Sequence, residues 1–131
     1  MDAKHKTEDV KKEMLLIEVS DELKSKCPEF KGIAVEARVS NTAFSKELWQ
    51  EIDAFTQRLR AESNVDDCKE QYAIAATRTA YRRCGKDPSR YRPSAEALRR
   101  RLLRGMELYQ IDTLVDIINL VSLQTGYSIG G

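Results

Sequence analysis

Hydrophobic and polar residues alternate along residues 31–40, KGIAVEARVS, where every second side chain from Ile33 to Val39 is apolar. This period of two residues predicts a half-buried β-strand. The apolar run in residues 13–20, EMLLIEVS, predicts a second short strand. A short helix is expected between the two strands, and it should end before Pro28. The beginning of the chain therefore predicts a small sheet.

Helical spacing replaces this alternation after residue 41. Apolar residues recur every three or four positions from Phe44 to Leu59, which predicts an amphipathic helix. A second long helix is predicted over residues 65–84, with Asn64 or Ser63 as its cap. Its first turn is acidic and its last turn is basic, as the helix dipole favours, and Gly85 fits the position beyond its end.

Two further helices complete the predicted elements. The first begins at Ser94, which is an N-cap candidate, and runs to Arg104 before Gly105. The second follows from residue 111 and stops at Gly126. Because it is apolar almost all round, we expect it to be the central helix of the core. Together these patterns predict an α+β fold with a small sheet and about four helices.

Length and composition favour one domain. The chain has 131 residues, of which 41% are hydrophobic and 33% are charged, as in an ordinary globular protein. We expect residues 1–12 to form a solvated arm and residues 13–131 a single domain. No apolar run approaches the roughly 18–20 residues that span a bilayer, and the polar N-terminus does not resemble a secretory signal. A cytoplasmic protein without a membrane partner is predicted.

Cysteine and histidine usage excludes several kinds of site. Cys27, Cys68 and Cys84 have no paired spacing, which argues against a disulfide framework and a zinc site. His5 is the only histidine and lies in the polar arm, so no Ser-His-Asp or Cys-His mechanism is expected inside the fold. We therefore predict no metal ion and no cofactor.

Positive charge is concentrated in residues 76–105, which hold ten basic and two acidic side chains. This segment has a net charge of +8, whereas the whole chain has +1, so the remainder carries −7. Guanidinium groups match phosphate oxygens, and Tyr91 or Tyr81 could stack on unpaired bases, so the segment indicates an RNA-binding surface. The candidate RNA-binding residues are Arg78, Arg82, Arg83, Arg90, Tyr91, Arg92, Arg99, Arg100, Arg101 and Arg104. The alternative is a solvated helix face whose arginines pair with acidic residues elsewhere in the chain.

Two weaker signals lie towards the end of the chain. Asp112, Asp116 and Asn119 share one helical stripe, and carboxylates one turn apart can bind Mg²⁺ or transfer protons. A structural role, with arginine or backbone partners, is the alternative that we favour. The terminal YSIGG has two glycines, which allow the backbone to approach a ligand closely. The alternative, which we weigh equally, is that these residues form a frayed end. The pocket candidates are Asn119, Ser128, Gly130 and Gly131.

Residues 76–131 resemble the B3/B4 domain of the phenylalanyl-tRNA synthetase β chain, and look closest to its stand-alone, single-domain relatives. The segments DPSRYRPSAEAL and IDTLVDIINLVSLQTG carry the resemblance. In the synthetase this α+β module hydrolyses tyrosine that is wrongly esterified to the phenylalanine tRNA, and it is catalogued as a tRNA-binding region. The resemblance therefore implies the same fold and an RNA-related role.

The chain departs from the family pattern in two places. Ser128 stands where the family has a proline and Gly130 where it has a histidine, so the histidine's role is not carried over. The family domain continues into further strands, which supply the glutamate that recognises the tyrosine hydroxyl. The resemblance thus predicts a fold that is incomplete at its C-terminal end, and it assigns no catalytic residue.

The charge pattern and the resemblance leave three candidate functions. The first is an RNA-binding module, with tRNA or another RNA as its partner and no preference for DNA. The second is a trans-editing hydrolase that deacylates misacylated tRNA, relying on positioning and on the substrate's own hydroxyl. The third is a non-catalytic domain whose arginines bind an acidic protein.

Overall fold

The computed structural model describes residues 16–131, and the chain divides between Val39 and Ser40 into two compact units. The predicted arm over residues 1–12 and the first three residues of the predicted strand 13–20 lie outside the described residues. Within residues 16–131, no helix is long and apolar enough to cross a membrane.

The described part of the first unit, residues 16–39, contains one short helix, α1, at Asp21–Lys26. Ser20 caps it, because its hydroxyl accepts a hydrogen bond of 3.2 Å from the backbone N–H of Leu23. Residues 31–40, in contrast, form neither helix nor strand. The alternation therefore identifies side chains suited to a sheet, but no second strand pairs with this backbone within the described residues.

The prediction of an α+β fold with a small sheet is wrong for the described part of the chain, which is helical and contains no β-strand. A strand is stable only when a neighbouring strand takes up its backbone N–H and C=O groups. Alternation along one segment cannot show whether that neighbour exists.

The second unit is built from four α-helices and a 3₁₀ helix. In chain order they are α2 at Lys46–Glu62, the 3₁₀ helix at Val65–Glu70, α3 at Tyr72–Arg83, α4 at Ser94–Leu103 and α5 at Thr113–Thr125. Leucine and isoleucine side chains from α2, α4 and α5, joined by Leu108, form its buried core. This burial supplies the main stabilisation of the helices, since isolated helices of this length are marginal in water.

The predicted helix over residues 65–84 is interrupted at Gln71. Its start is as expected, because Asn64 and Asp67 form a reciprocal capping box. At Gln71 the backbone is extended (φ −59°, ψ 131°), and its side chain accepts a hydrogen bond from the N–H of Ile74 at 2.9 Å. The same amide donates to the carbonyl of Thr125 at 3.1 Å. Gln71 thus starts α3 and supports the end of α5.

Two other helix predictions need correction. Pro93, not Ser94, precedes the first turn of α4, which has no side-chain cap of its own. Helix α5 is not apolar core on every side, because Ile117 is 42% exposed and Val121 is 38% exposed. Its glycine stop is confirmed, since Gly126 has φ +78° and a Cβ there would collide with the amide of Gln71.

Candidate functional site

Eight of the nine arginines of residues 76–105 fall into two groups by position, and the ninth, Arg104, lies at the end of α4. Four of them have guanidinium groups engaged within the fold, namely Arg78, Arg99, Arg100 and Arg101. The second group lies in the segment from the end of α3 to Pro93, which we call the basic loop (residues 82–92). Its basic side chains are all exposed and are Arg82, Arg83, Lys86, Arg90 and Arg92.

A buried ion-pair cluster, Arg78, Glu96 and Arg100, lies beneath the basic loop. Arg78 Nη1 lies 2.8 Å from Glu96 Oε1, and Arg100 Nε lies 2.8 Å from Glu96 Oε2. Glu96 has no exposed surface. Its burial would raise the pKa of its carboxyl, but the hydrogen bonds and charges of Arg100 and Arg78 outweigh this and lower the pKa below its ordinary value. Glu96 is therefore a charged carboxylate that pairs with two inward-facing arginines at once.

The cluster also holds the basic loop in place. Arg78 Nη1 donates to the carbonyl of Pro88 at 3.3 Å, and Arg78 Nη2 donates to the hydroxyl of Ser89 at 3.2 Å. Arg78 is only 6% exposed, so its hydrogen bond to Pro88 is buried, whereas the one to the exposed Ser89 is partly buried. One arginine thus connects α3, α4 and the loop between them.

Arg99 and Arg101 are engaged by backbone carbonyls. Arg99 Nη2 donates to the carbonyl of Leu123 at 2.8 Å, at the contact between α4 and α5. Burial lowers the pKa of Arg99, and its Nε is buried without a hydrogen-bond partner. Arg101 Nε donates to the carbonyl of Glu107 at 2.6 Å, and its guanidinium lies 4.1 Å from the ring centre of Tyr109. Both side chains stabilise the fold.

Backbone turns shape the basic loop. Gly85 has φ +77°, which lets the chain leave α3 while the N–H of Lys86 donates to the carbonyl of Tyr81 at 2.9 Å. Asp87 accepts hydrogen bonds of 2.9 Å from Ser89 N–H on its side chain and from Tyr91 N–H on its carbonyl. The loop is therefore a defined turn, and its only acidic residue is occupied by this turn.

The ring of Tyr91 lies beside two cations at the surface of the loop. Its ring is 47% exposed, with Lys86 Nζ at 4.8 Å and Arg90 Cζ at 5.4 Å from the ring centre. Arg92 is the next residue, and the guanidinium groups of Arg92 and Arg82 form no hydrogen bond or ion pair within residues 16–131. An accessible aromatic ring beside several cations can bind a base and its phosphates together.

The acidic stripe on α5 serves the fold. Asp112 caps the helix by accepting from Val115 N–H at 2.9 Å, and this hydrogen bond, aided by Asn41, lowers the pKa of Asp112. Asp116 is 1% exposed and accepts from Trp49 Nε1 at 3.0 Å and from Ile111 N–H at 3.2 Å. These contacts support the structural interpretation over a metal or acid–base site.

The pocket candidates are not joined to one another by hydrogen bonds within the described residues. Ser128 is hydrogen-bonded to another element, because its hydroxyl accepts from Ala95 N–H at 3.2 Å in the first turn of α4. This contact supplies the cap that Pro93 cannot provide. Gly130 and Gly131 are exposed with open space around them, and Asn119 is half-buried on α5.

Sequence reasoning missed the part played by Glu96. Two signals were present, since Glu96 is one of only two acids among ten basic residues and stands four positions before Arg100. Neither signal shows that the carboxylate faces inward, which depends on how α3 packs against the loop.

Residues 76–131 match the family model of the B3/4 domain. The match confirms the resemblance seen in the sequence, and it covers most of α3, the basic loop, α4 and α5. This segment, which we call the B3/4 segment, is therefore related to a tRNA synthetase domain. Comparisons with curated proteins and with solved structures found no match.

Proposed function

We propose that this protein is an RNA-binding module of the B3/4 type, which holds tRNA or a similar RNA in the cytoplasm through its basic loop. The observation that carries the proposal is the outward-facing group of Lys86, Arg90 and Arg92 around the accessible ring of Tyr91. The family match of the B3/4 segment supports RNA as the polyanion.

The division of the arginines supports a narrower surface than the sequence predicts. Arg78 and Arg100 pair with Glu96, and Arg99 donates to a backbone carbonyl, so these three arginines serve the fold rather than meet a ligand. Arg82, Arg90 and Arg92 keep their donors available to phosphate oxygens. Arg104 is also exposed but lies at the far end of α4 from the loop.

Tyr91 favours an unpaired stretch of RNA over a duplex. Bases inside an A-form helix are stacked on one another and have no free face for a side chain. An unpaired end or loop has such faces, and base stacking on an aromatic ring contributes about 1–3 kcal/mol. The single-stranded end of a tRNA fits this requirement.

The proposal is tested by titrating tRNA into the protein at several salt concentrations. Each phosphate contact should contribute about −0.7 to −0.9 to the slope of log affinity against log salt. The double variant Arg90→Gln/Arg92→Gln should reduce this slope by about 1.4–1.8. Arg58→Gln is the matched control, because Arg58 is an exposed arginine on α2 outside the loop.

Absence of tRNA binding, or binding that does not change with salt, contradicts the proposal. An equal loss of affinity in the double variant and in Arg58→Gln would show attraction by overall charge without a defined surface. Competition by an acidic peptide that displaces tRNA at equal concentration would favour the protein-interaction alternative.

The family match also supports a second candidate, hydrolysis of misacylated tRNA. In this case the loop binds the tRNA while the substrate's own hydroxyl activates water. Incubation with tyrosine esterified to the phenylalanine tRNA separates the candidates. Release of tyrosine faster than in the buffer control indicates editing, and equal rates exclude it.

A further inference from the structure

Residues 31–40 of the chain carry a row of strongly exposed apolar side chains. Ile33 is 92% exposed, Val35 is 86% exposed and Val39 is 57% exposed. Apolar side chains that are exposed in a continuous row mark a surface for association. This row does not belong to the B3/4 segment and has no part in the proposed function.

The backbone of this segment is available for pairing. It runs from residue 30 to residue 42 without a turn or bend, so it already has the course of a strand. The N–H and C=O groups of Val35, Ala37 and Val39 form no backbone hydrogen bond within residues 16–131. In an antiparallel ladder every second residue exchanges both of its backbone hydrogen bonds with the opposite strand, and these three residues have that spacing.

We propose that residues 33–41 form an antiparallel β-ribbon with the same residues of a second copy of this chain. The register places Ala37 opposite Ala37 of the other copy. Val35 then lies opposite Val39 on one face, and this pair occurs twice by symmetry. The apolar row of each copy is thereby partly covered by the row of the other.

Charge complementarity selects a second copy as the partner and also selects the register. With Ala37 at the centre, Glu36 of each copy lies opposite Arg38 of the other, which gives two oppositely charged cross-strand pairs. A shift by two residues in one direction places Glu36 opposite Glu36. The shift in the other direction places Arg38 opposite Arg38. Both shifted registers set like charges against each other, and a slip by one residue mixes the apolar and polar faces.

The test uses charge reversal on the full chain, followed by analytical ultracentrifugation. Because a two-stranded ribbon is marginal in water, wild type should dimerise measurably only between about 10 µM and about 1 mM. Glu36→Arg or Arg38→Glu should each weaken the dimer about tenfold, since both symmetric pairs become like-charged. The double variant Glu36→Arg/Arg38→Glu should restore wild-type association within about threefold.

Mixing the two single variants provides the sharpest measurement. The Glu36→Arg variant is positive at both positions 36 and 38, and the Arg38→Glu variant is negative at both. Every cross-strand pair between the two variants is therefore oppositely charged, and an equimolar mixture should form a heterodimer about as strong as the wild-type dimer. Glu18→Arg is the control for total charge, because Glu18 is an exposed acid of the same unit outside the ribbon.

Three results overturn the proposal. They are a wild type that stays monomeric over the whole concentration range, a double variant that fails to recover, and a Glu18→Arg variant that loses association as strongly as Glu36→Arg. The variants alter exposed side chains outside every helix of the second unit, so circular dichroism should show unchanged helicity in all of them.

Discussion

Arg92 and Arg100 belong to the same basic run, but the fold gives their guanidinium groups different surroundings. Arg92 is exposed and has no partner within the described residues. Arg100 has a side chain that is 13% exposed, and it lies 2.8 Å from a carboxylate that has no exposed surface. The basic loop and the buried ion-pair cluster thus both draw arginines from the same basic run but place them in different surroundings. The difference shows that a run of basic residues does not predict a binding surface by itself. The arginines whose side chains are buried within the fold must first be left out of the candidate surface.

The cluster explains how a loop with so many cations keeps one shape. Arg78 reaches the loop at Pro88 and Ser89, and Glu96 compensates the charge of Arg78. Within the loop, Lys86 and Arg90 lie against the ring of Tyr91 at the surface. Variants in the cluster should therefore reduce stability, whereas variants in the loop should reduce RNA affinity.

The largest loss of unfolding free energy is expected for Glu96→Gln. Removing the charge of one partner in a buried ion pair leaves uncompensated cations and costs about 3–5 kcal/mol. Urea unfolding measures the loss of unfolding free energy. The matched control is Glu107→Gln, because the carboxylate of Glu107 is 67% exposed and lies 3.6 Å from Arg60, where a loss of at most about 1 kcal/mol is expected. Equal losses in the two variants would contradict a structural role for the cluster.

Lowering the pH should reproduce part of this loss of unfolding free energy in the wild type, because it protonates Glu96. The pKa of Glu96 is lower in the folded state than its ordinary value of 4.5, so the folded state binds this proton less readily than the unfolded state. The stabilisation is present above the ordinary pKa and is lost as pH falls through the folded pKa. Urea midpoints recorded at decreasing pH should therefore bring wild type closer to Glu96→Gln. A difference between the two proteins that stays constant down to about pH 3 would be inconsistent with this linkage.

The positions of α2, α4 and α5 could be predicted from the sequence, whereas the interruption at Gln71 and the cluster could not. Helix α2 follows from apolar spacing, and the stops at Gly85, Gly105 and Gly126 follow from the freedom of glycine at positive φ. These are local effects, decided within one or two turns. Glu96 is buried against Arg78 on α3 and Arg100 on α4, and Arg78 lies 18 positions away in the sequence, across the end of α3 and the loop.

The same distinction explains the other misses. Ser128 caps α4 from a position after the end of α5, and Trp49 on α2 donates to Asp116 on α5. Contacts between residues so distant in the sequence leave no periodic signal. The missing sheet shows the opposite error, in which a local pattern is present but the distant contact is not. Residues 31–40 have the alternation of a strand, but the described residues contain no partner strand for them.

On the loop side of the comparison, Tyr91→Leu should weaken binding of a single-stranded RNA by about 1–3 kcal/mol through loss of stacking. Its effect on unfolding free energy should stay within about 0.5–1 kcal/mol, the range of an exposed cation–π contact. Tyr109→Leu is a matched control, because Tyr109 is an exposed ring beside Arg101 outside the loop. Equal RNA affinities of the two variants would remove Tyr91 from the proposed surface.

The smallest effect is expected where the two regions meet, at Ser89. Ser89→Ala removes the hydroxyl that accepts a hydrogen bond from Arg78 Nη2 but leaves Arg78 paired with Glu96 and with the carbonyl of Pro88. Loss of this partly buried hydrogen bond should cost about 0.5–1.5 kcal/mol in urea unfolding. Because the bond fixes the loop, RNA affinity should fall with it, and Ser94→Ala, at an exposed serine without a capping role, should change neither. A loss of stability in Ser89→Ala with unchanged RNA affinity would show that the cluster stabilises the fold without positioning the loop for its ligand.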